Sequence, residues 1–106
     1  MLKVEKLTVG EHDFYIKTST RSMIEYEELS GKSIANLNTT NDLLKFFYTT
    51  AKAGAKSEGV DFKYTYDEFL DLIDDYPTEA LNGFRNALDK LGQSDKKKVT
   101  KKTTKK

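Results

Sequence analysis

The centre of the chain reads NDLLKFFYTTAKAGAK from Asn41 to Lys56. Its apolar side chains recur at the spacing that places them on one face of an α-helix. Thr39 and Thr40 precede the run as candidate N-caps, and Gly54 and Gly59 weaken its end. The stretch therefore predicts the central helix of the fold. Its residues at helical spacing are Leu43, Leu44, Phe47, Tyr48 and Ala51.

On the N-terminal side of this helix the sequence predicts a β-hairpin, a short helix and a linker. Two apolar stretches flank Gly10-Glu11-His12-Asp13, which is typical of a hairpin, although the alternation at Leu7 requires a bulge if Val4 and Leu7 share a face. Residues 20–29 predict a helix that opens on Ser22-x-x-Glu25 and ends near Gly31. Residues 32–40 are a polar linker anchored by two apolar side chains, Ile34 and Leu37.

Two more helices are predicted on the C-terminal side. Thr65-x-x-Glu68 is a capping box that opens an apolar stripe ending before Pro77, which closes that helix. From residue 78 to Leu91 the apolar residues recur every three or four positions, the clearest amphipathic pattern in the chain, and Gly92 stops it. The predicted core across Pro77 consists of Phe69, Ile73, Leu81, Phe84 and Leu88.

The predicted fold is α+β but mainly α: an N-terminal β-hairpin, about four helices and a disordered basic C-terminal tail. Residues 1–92 are predicted to form a single globular domain of hairpin and helical bundle. Residues 93–106 hold one apolar residue, Val99, among lysines and threonines, too little apolar surface to offset the cost of ordering the backbone. A disordered Lys/Thr-rich tail is expected there.

Charge is distributed unevenly along the 106 residues, although the formal net charge is only +1. Residues 1–94 contain 11 Lys and Arg against 16 Asp and Glu, whereas residues 95–106 contain seven Lys and one Asp. The body is therefore acidic and the tail basic. Cysteine is absent, and no apolar run approaches the roughly 18 residues that a membrane span needs. These features predict a small soluble intracellular protein without a membrane segment.

Catalytic and metal-binding patterns are sparse in this sequence. The only histidine, His12, stands in the predicted hairpin turn, where an exposed side chain without convergent partners is expected. No Walker loop, dinucleotide fingerprint or nucleophile elbow occurs. EF-hand registers beginning at Asp61 or Asp71 fail at the required Gly and Glu positions. We therefore expect no enzymatic activity, no cofactor and no metal site.

An acidic cluster in the third predicted helix and an aromatic run in the central helix are the candidate partner-binding features. No Lys or Arg occurs between Tyr64 and Phe84 to neutralise the acidic residues, which form either a solvated face or a docking face for a basic partner. Phe46 points about 100° away from Phe47, so it either packs beneath the hairpin or linker or marks an exposed interaction surface. The candidate residues are Phe46, Tyr48, Asp67, Asp71, Asp74 and Asp75.

Three strings in order carry a family resemblance: IEYEELSGKSI from Ile24 to Ile34, DLLKFFY from Asp42 to Tyr48, and YDEFLDLID from Tyr66 to Asp74. Over about residues 10–91 the chain resembles tail assembly chaperones of long-tailed bacteriophages and prophages. In that pattern a hairpin is followed by a helix exit of the form E-x-x-x-G-K/R-S/D, then a Leu-rich aromatic helix, then an acidic helix. The long basic tail departs from the family's usual compact ending.

The resemblance implies a non-catalytic helical protein in the cytoplasm of a bacterial host. Such a protein coats the tape measure protein, keeps it soluble and recruits tail tube protein before leaving the finished tail. The family often makes a longer product by ribosomal frameshifting, and Lys96-Lys97-Lys98 is compatible with an A-rich slippery site. The sequence also allows a homo-oligomer.

Two alternatives stay open. A small nucleic-acid-binding accessory protein would use the Lys-rich tail, and an acidic regulatory adaptor would use the acidic helix to mimic a phosphate backbone. The tail lacks interleaved aromatic residues and arginines, and the body attached to it is negative, so the sequence disfavours nucleic acid as a partner.

Overall fold

The computed structural model describes residues 4–103, with side chains described from Val4 to Leu91. A two-stranded antiparallel sheet comes first and four α-helices follow, so the predicted hairpin and helices are confirmed. Within residues 4–103, none of the helices combines the length and the apolar character needed to cross a membrane. The elements are β1 Glu5–Val9, β2 His12–Ile16, α1 Thr20–Ser30, α2 Thr40–Glu58, α3 Tyr66–Ile73 and α4 Pro77–Thr103.

The hairpin turn is shorter than predicted. Val9 pairs with His12, which leaves only Gly10 and Glu11 between the strands. Gly10 has a φ of 60°, in the left-handed region that a two-residue hairpin turn needs and that glycine adopts without steric cost. His12 therefore belongs to β2 and is partly buried, and its predicted place in an exposed turn is wrong.

The register of the hairpin is regular, so no bulge is needed at Leu7. Leu7 lies directly opposite Phe14, and directly opposite residues of an antiparallel pair point to the same face. Val9 follows Leu7 by two residues and shares that face. Val9, Phe14 and Ile16 are buried there, which makes this the core side of the sheet.

Helix α1 begins at a different cap from the predicted one. Ser19 is the N-cap: its hydroxyl accepts from the Ser22 amide at 3.2 Å, and the Ser22 hydroxyl accepts from the Ser19 amide at 2.9 Å. The predicted Ser22-x-x-Glu25 box is wrong, because the residue that satisfies the amides of the first turn lies three positions earlier. The predicted end is confirmed by Gly31, whose φ of 74° closes the helix.

Helix α2 is the centre of the fold, as the sequence predicted. Thr39 caps its start and Gly59, with a φ of 71°, caps its end. The helix packs against both β2 and α1. At Gly54 the backbone of β2 comes so close that a Cβ would overlap the Tyr15 carbonyl. A small residue is therefore required where the hairpin lies on the helix.

Helix α3 opens on the predicted capping box. The Glu68 amide donates to the Thr65 hydroxyl at 3.1 Å, and the Thr65 amide donates to the Glu68 carboxylate at 2.9 Å. The helix has already ended at Ile73, so Pro77 does not close it. Pro77 is instead the first residue of α4. An N–H at this position has no acceptor within the helix, so proline, which lacks an N–H, costs no hydrogen bond there.

Helix α4 is longer than predicted, because its backbone continues to Thr103 rather than stopping at Gly92. A glycine inside a helix costs only about 1 kcal/mol relative to alanine, and the lysines that follow favour helix. The side chains after Leu91 and residues 104–106 lie outside what the structure describes. The expected disorder of residues 93–106 stays a prediction.

The core is built around the Phe47 ring of α2. It stacks on Phe84 of α4 at 4.7 Å and meets Phe69 of α3 edge-on at 4.9 Å and Phe14 of β2 at 5.3 Å between ring centroids. Phe69, Ile73 and Phe84 are buried as predicted, whereas Leu81 and Leu88 are only partly buried. Phe47 thus joins α3 and α4, which were expected to face each other directly.

Candidate functional site

The four predicted aspartates, Asp67, Asp71, Asp74 and Asp75, are all exposed at α3 and the turn after it. Asp67, Asp71 and Asp74 are separated by four and three residues and so share one side of the helix. The two ion pairs among the described residues lie elsewhere, between Lys6 and Asp13 and between Lys32 and Asp42. Asp67, Asp71 and Asp74 therefore form a row of carboxylates that faces solvent, called the acidic row below, and Asp75 follows it in the turn.

The neighbouring acidic residues are engaged in the fold. The Glu68 carboxylate caps α3, and the Glu79 carboxylate accepts from the Gly10 amide at 3.0 Å, which ties α4 to the hairpin turn. None of the described side-chain hydrogen bonds or ion pairs uses the carboxylates of Asp67, Asp71, Asp74 and Asp75, so a partner could contact them without breaking such a bond.

An open groove of about 180 Å³ lies beside this row, where α2, α3 and the start of α4 meet. Buried Ile73 and Ala80 contribute to its lining, together with partly buried Leu44, Leu70 and Leu81. Asp74 of the acidic row also lines it. Leu70 follows Asp67 by three residues and precedes Asp74 by four, so Asp67 and Asp74 lie on the side of α3 that carries this groove residue.

Phe46 is not an exposed anchor, contrary to the expectation that it contacts a partner. Its side chain is only 5% exposed and lies between Tyr26 of α1, at 5.6 Å, and Phe84 of α4, at 5.9 Å. It packs beneath two helices rather than beneath the hairpin or linker. The physical reason is that α2 is covered on more than one side, so a residue 100° away from Phe47 still enters the core.

Tyr48 is partly buried and already engaged. Its hydroxyl donates to the Tyr64 carbonyl at 2.5 Å, and its ring packs against Phe62 and Tyr66, each at 5.7 Å. Burial, followed by the nearby carboxylates of Glu25 and Glu68, raises the pKa of the Tyr48 phenol. Tyr48 therefore fastens the segment before α3 to α2 and keeps its proton at neutral pH.

The sequence reading missed two exposed apolar regions. On α1, the Tyr26 side chain is buried, whereas Met23 is 37% exposed and Ile24 is 50% exposed. In the groove, Leu81 had been predicted in the core and Leu44 and Leu70 only on the apolar faces of their helices, and all three are partly buried. Periodicity identifies which residues share a face, but it does not show whether another element covers that face.

Metal-binding geometry is absent from the described side chains: among residues 4–91, no three histidine or acidic side chains group so that they could hold an ion. The acidic row spreads its carboxylates along the helix instead of converging them. Carboxylates spread in this way can contact several basic side chains of a partner, whereas a metal ion needs ligands that converge on one point.

Comparison with known proteins adds no relative from which a role could be transferred. No protein-family model, no curated protein and no solved structure matches the chain.

Proposed function

We propose that this protein is a tail assembly chaperone of a long-tailed bacteriophage or prophage. It acts without catalysis in the cytoplasm of the bacterial host, where it binds the tape measure protein and the tail tube protein during tail assembly. The resemblance of residues 10–91 to that family is one support for the proposal. The observation that carries it most directly is the acidic row of α3 beside an open apolar groove.

This combination suits a protein that holds a long helical client. Apolar surface covers the client's own apolar face, and charge keeps the complex dissolved. The acidic row adds a preference for clients with basic helices, because opposite charges speed encounter and like charges reject wrong partners. The same small body can bind repeatedly along a long client.

Co-expression tests the proposal directly. The protein is tagged and expressed with the tape measure and tail tube proteins of the same phage or prophage, and an unrelated long coiled-coil protein serves as the control. We expect the tape measure protein to stay soluble and to co-purify in several copies of chaperone per client. Failure to capture either tail protein would contradict the proposal.

A nucleic-acid-binding accessory role is the second candidate, favoured by the seven lysines of residues 95–106. Binding to DNA that weakens steeply with salt and disappears when residues 93–106 are deleted would support it. If that behaviour accompanied the absence of any tail protein complex, the nucleic-acid role would replace the chaperone role.

A further inference from the structure

The groove between α2, α3 and α4 has the size and the apolar lining to accept one side chain of a partner. Its lining includes Ile73 and Ala80, which are 4% and 0% exposed, so this part of the wall is held by the core. Partly buried Leu44, Leu70 and Leu81 and exposed Pro77 contribute the rest of the apolar lining. Apolar pockets of about 150 Å³ bind a benzene ring, so about 180 Å³ is room for one large apolar side chain.

The walls of the groove favour a helical occupant. Apart from Asp74, the lining residues lie on α2, α3 and α4, and neither strand of the hairpin contributes to the lining. An extended peptide would find no strand edge here to pair with, whereas a helix satisfies its own backbone and needs only a place for its apolar face.

Charge decides which helix fits. Asp74 lines the groove, Asp67 and Asp71 lie on the same side of α3 as Asp74, and no Lys or Arg occurs between Tyr64 and Phe84 to neutralise them. A helix with lysines or arginines beside its apolar anchor would place cations against this row. A helix with an acidic flank would be repelled.

The protein's own Lys-rich segment matches this charge but not the groove. Residues 95–106 contain seven lysines and only one apolar residue, Val99. A second copy that docked through this segment could place its lysines on the acidic row, but the segment could offer the groove only one small apolar side chain. A helix of a different protein, with larger anchors, fits both features.

We propose that this groove binds a basic amphipathic helix of another protein, with one large apolar side chain seated between Leu44, Leu70 and Leu81 and with basic residues against the acidic row. This deepens the proposed function by naming the surface that holds the client. It also replaces Phe46, which is buried, as the anchoring contact.

Two matched pairs of variants test the groove. Leu81→Arg blocks it, and Ile24→Arg makes the same change at an exposed position of α1 outside it. Asp71→Lys with Asp74→Lys reverses the row, and Glu28→Lys with Glu58→Lys makes the same net change at exposed positions elsewhere. Circular dichroism and thermal melts establish that each variant is folded, and a milder Leu81→Ser replaces Leu81→Arg if that variant does not fold.

The probe is a synthetic 20-residue amphipathic helix with a leucine stripe flanked by lysines, and a scrambled peptide of the same composition is its control. Titration calorimetry gives the affinity, and NMR shift changes locate the peptide on the labelled protein. We expect Leu81→Arg and the double charge reversal each to weaken binding at least about tenfold, while the control variants change it less than about twofold. The charge reversal should also abolish the weakening of binding by salt.

Several results would overturn the proposal. Equal binding of the scrambled peptide, or full affinity of Leu81→Arg, would show that no groove contact is made. Shift changes on α1 around Ile24 would place the helix on another surface. If the protein self-associates, loses this on deletion of residues 93–106 and excludes the peptide while associated, a second copy is the occupant.

Failure here is distinguishable from failure of the chaperone role. Capture of the tape measure protein by Leu81→Arg at wild-type level would keep the chaperone role and reject the groove as its site. Peptide binding in the groove without capture of any tail protein would keep the groove and reject the chaperone role.

Discussion

At the scale of single residues, Gly54 shows how the hairpin and the central helix are joined. A Cβ at this position would overlap the backbone carbonyl of Tyr15, and one turn earlier the Thr50 carbonyl accepts from the Lys17 amide at 3.2 Å. Because the neighbour of Gly54 is backbone, it cannot move aside by changing a rotamer. The position is therefore closed to any side chain.

Gly54→Ala should destabilise the protein by about 1 to 3 kcal/mol through overpacking, even though alanine usually favours a helix interior by about 1 kcal/mol. Urea unfolding measures the change. Gly83→Ala is the control, because its Cβ would meet only the flexible end of the Leu7 side chain and should cost less. A Gly54→Ala variant as stable as wild type would contradict the described approach of β2 to α2.

Phe84 is the residue whose truncation should cost most. It is fully buried, stacked on Phe47 and in contact with Phe46, so Phe84→Ala should lose about 3 to 5 kcal/mol. Leu88→Ala, at a partly buried position of the same helix, should lose less. If the alanine variant does not fold, the milder Phe84→Leu is measured in its place. Near-normal stability of Phe84→Ala would show that the aromatic core is misassigned.

At the scale of elements, Asp42 connects the linker to α2. Its carboxylate is buried, accepts from the Lys32 ammonium at 3.1 Å, and accepts from the Asn38 and Thr39 amides at 3.2 and 3.3 Å. Burial opposes ionisation, but the Lys32 hydrogen bond and the two amides outweigh it and hold the pKa of Asp42 below its ordinary value of 3.8. Ionisation of the Asp42 carboxylate therefore stabilises the folded state.

The sign of the pH effect follows from this lowered pKa. Stability from Asp42 is present above the ordinary value of 3.8 and is lost as pH falls through the lower folded value. Asp42→Asn should thus be less stable than wild type at neutral pH, and the difference should shrink as pH falls below about 4. Chemical unfolding at several pH values tests this. Lys32→Met should show a weaker form of the same pattern, and parallel curves for wild type and Asp42→Asn would contradict it.

At the scale of the whole molecule, charge is separated along the chain. The acidic row lies beside the start of α4. The seven lysines of residues 95–106 come later in the sequence, after Leu91. The last buried residue among those described in α4 is Leu91. Within the described side chains, the packing therefore extends along α4 as far as Leu91, which precedes the lysines in the sequence.

Deleting residues 93–106 should leave the thermal midpoint nearly unchanged, because these residues bring almost no apolar surface. Deleting residues 88–106 is the contrasting truncation: it also removes Leu88 and Leu91, and it should lower the midpoint clearly. Thermal melts of both shortened chains measure this. A loss of more than about 1 kcal/mol on the shorter deletion would show that the tail docks on the body.

Much of the secondary structure follows from the sequence by itself. The hairpin, the α1 end at Gly31, the α2 caps and the Thr65-x-x-Glu68 start of α3 depend on contacts within a few residues, which local patterns report. The acidic row was also predictable, since residues four and three apart on a helix share a side and no basic residue interrupts it.

The tertiary structure alone decided which apolar faces are covered. Phe46 is buried because α1 and α4 both reach α2, and Leu44, Leu70 and Leu81 stay partly open because no described element closes the space between α2, α3 and α4. Gly54, which was predicted to weaken the end of the central helix, instead lies inside α2 at the point where the β2 backbone approaches it most closely. Helical period reports the direction of a side chain from its own axis, whereas burial depends on where the other elements lie, and that is set by contacts far apart in sequence.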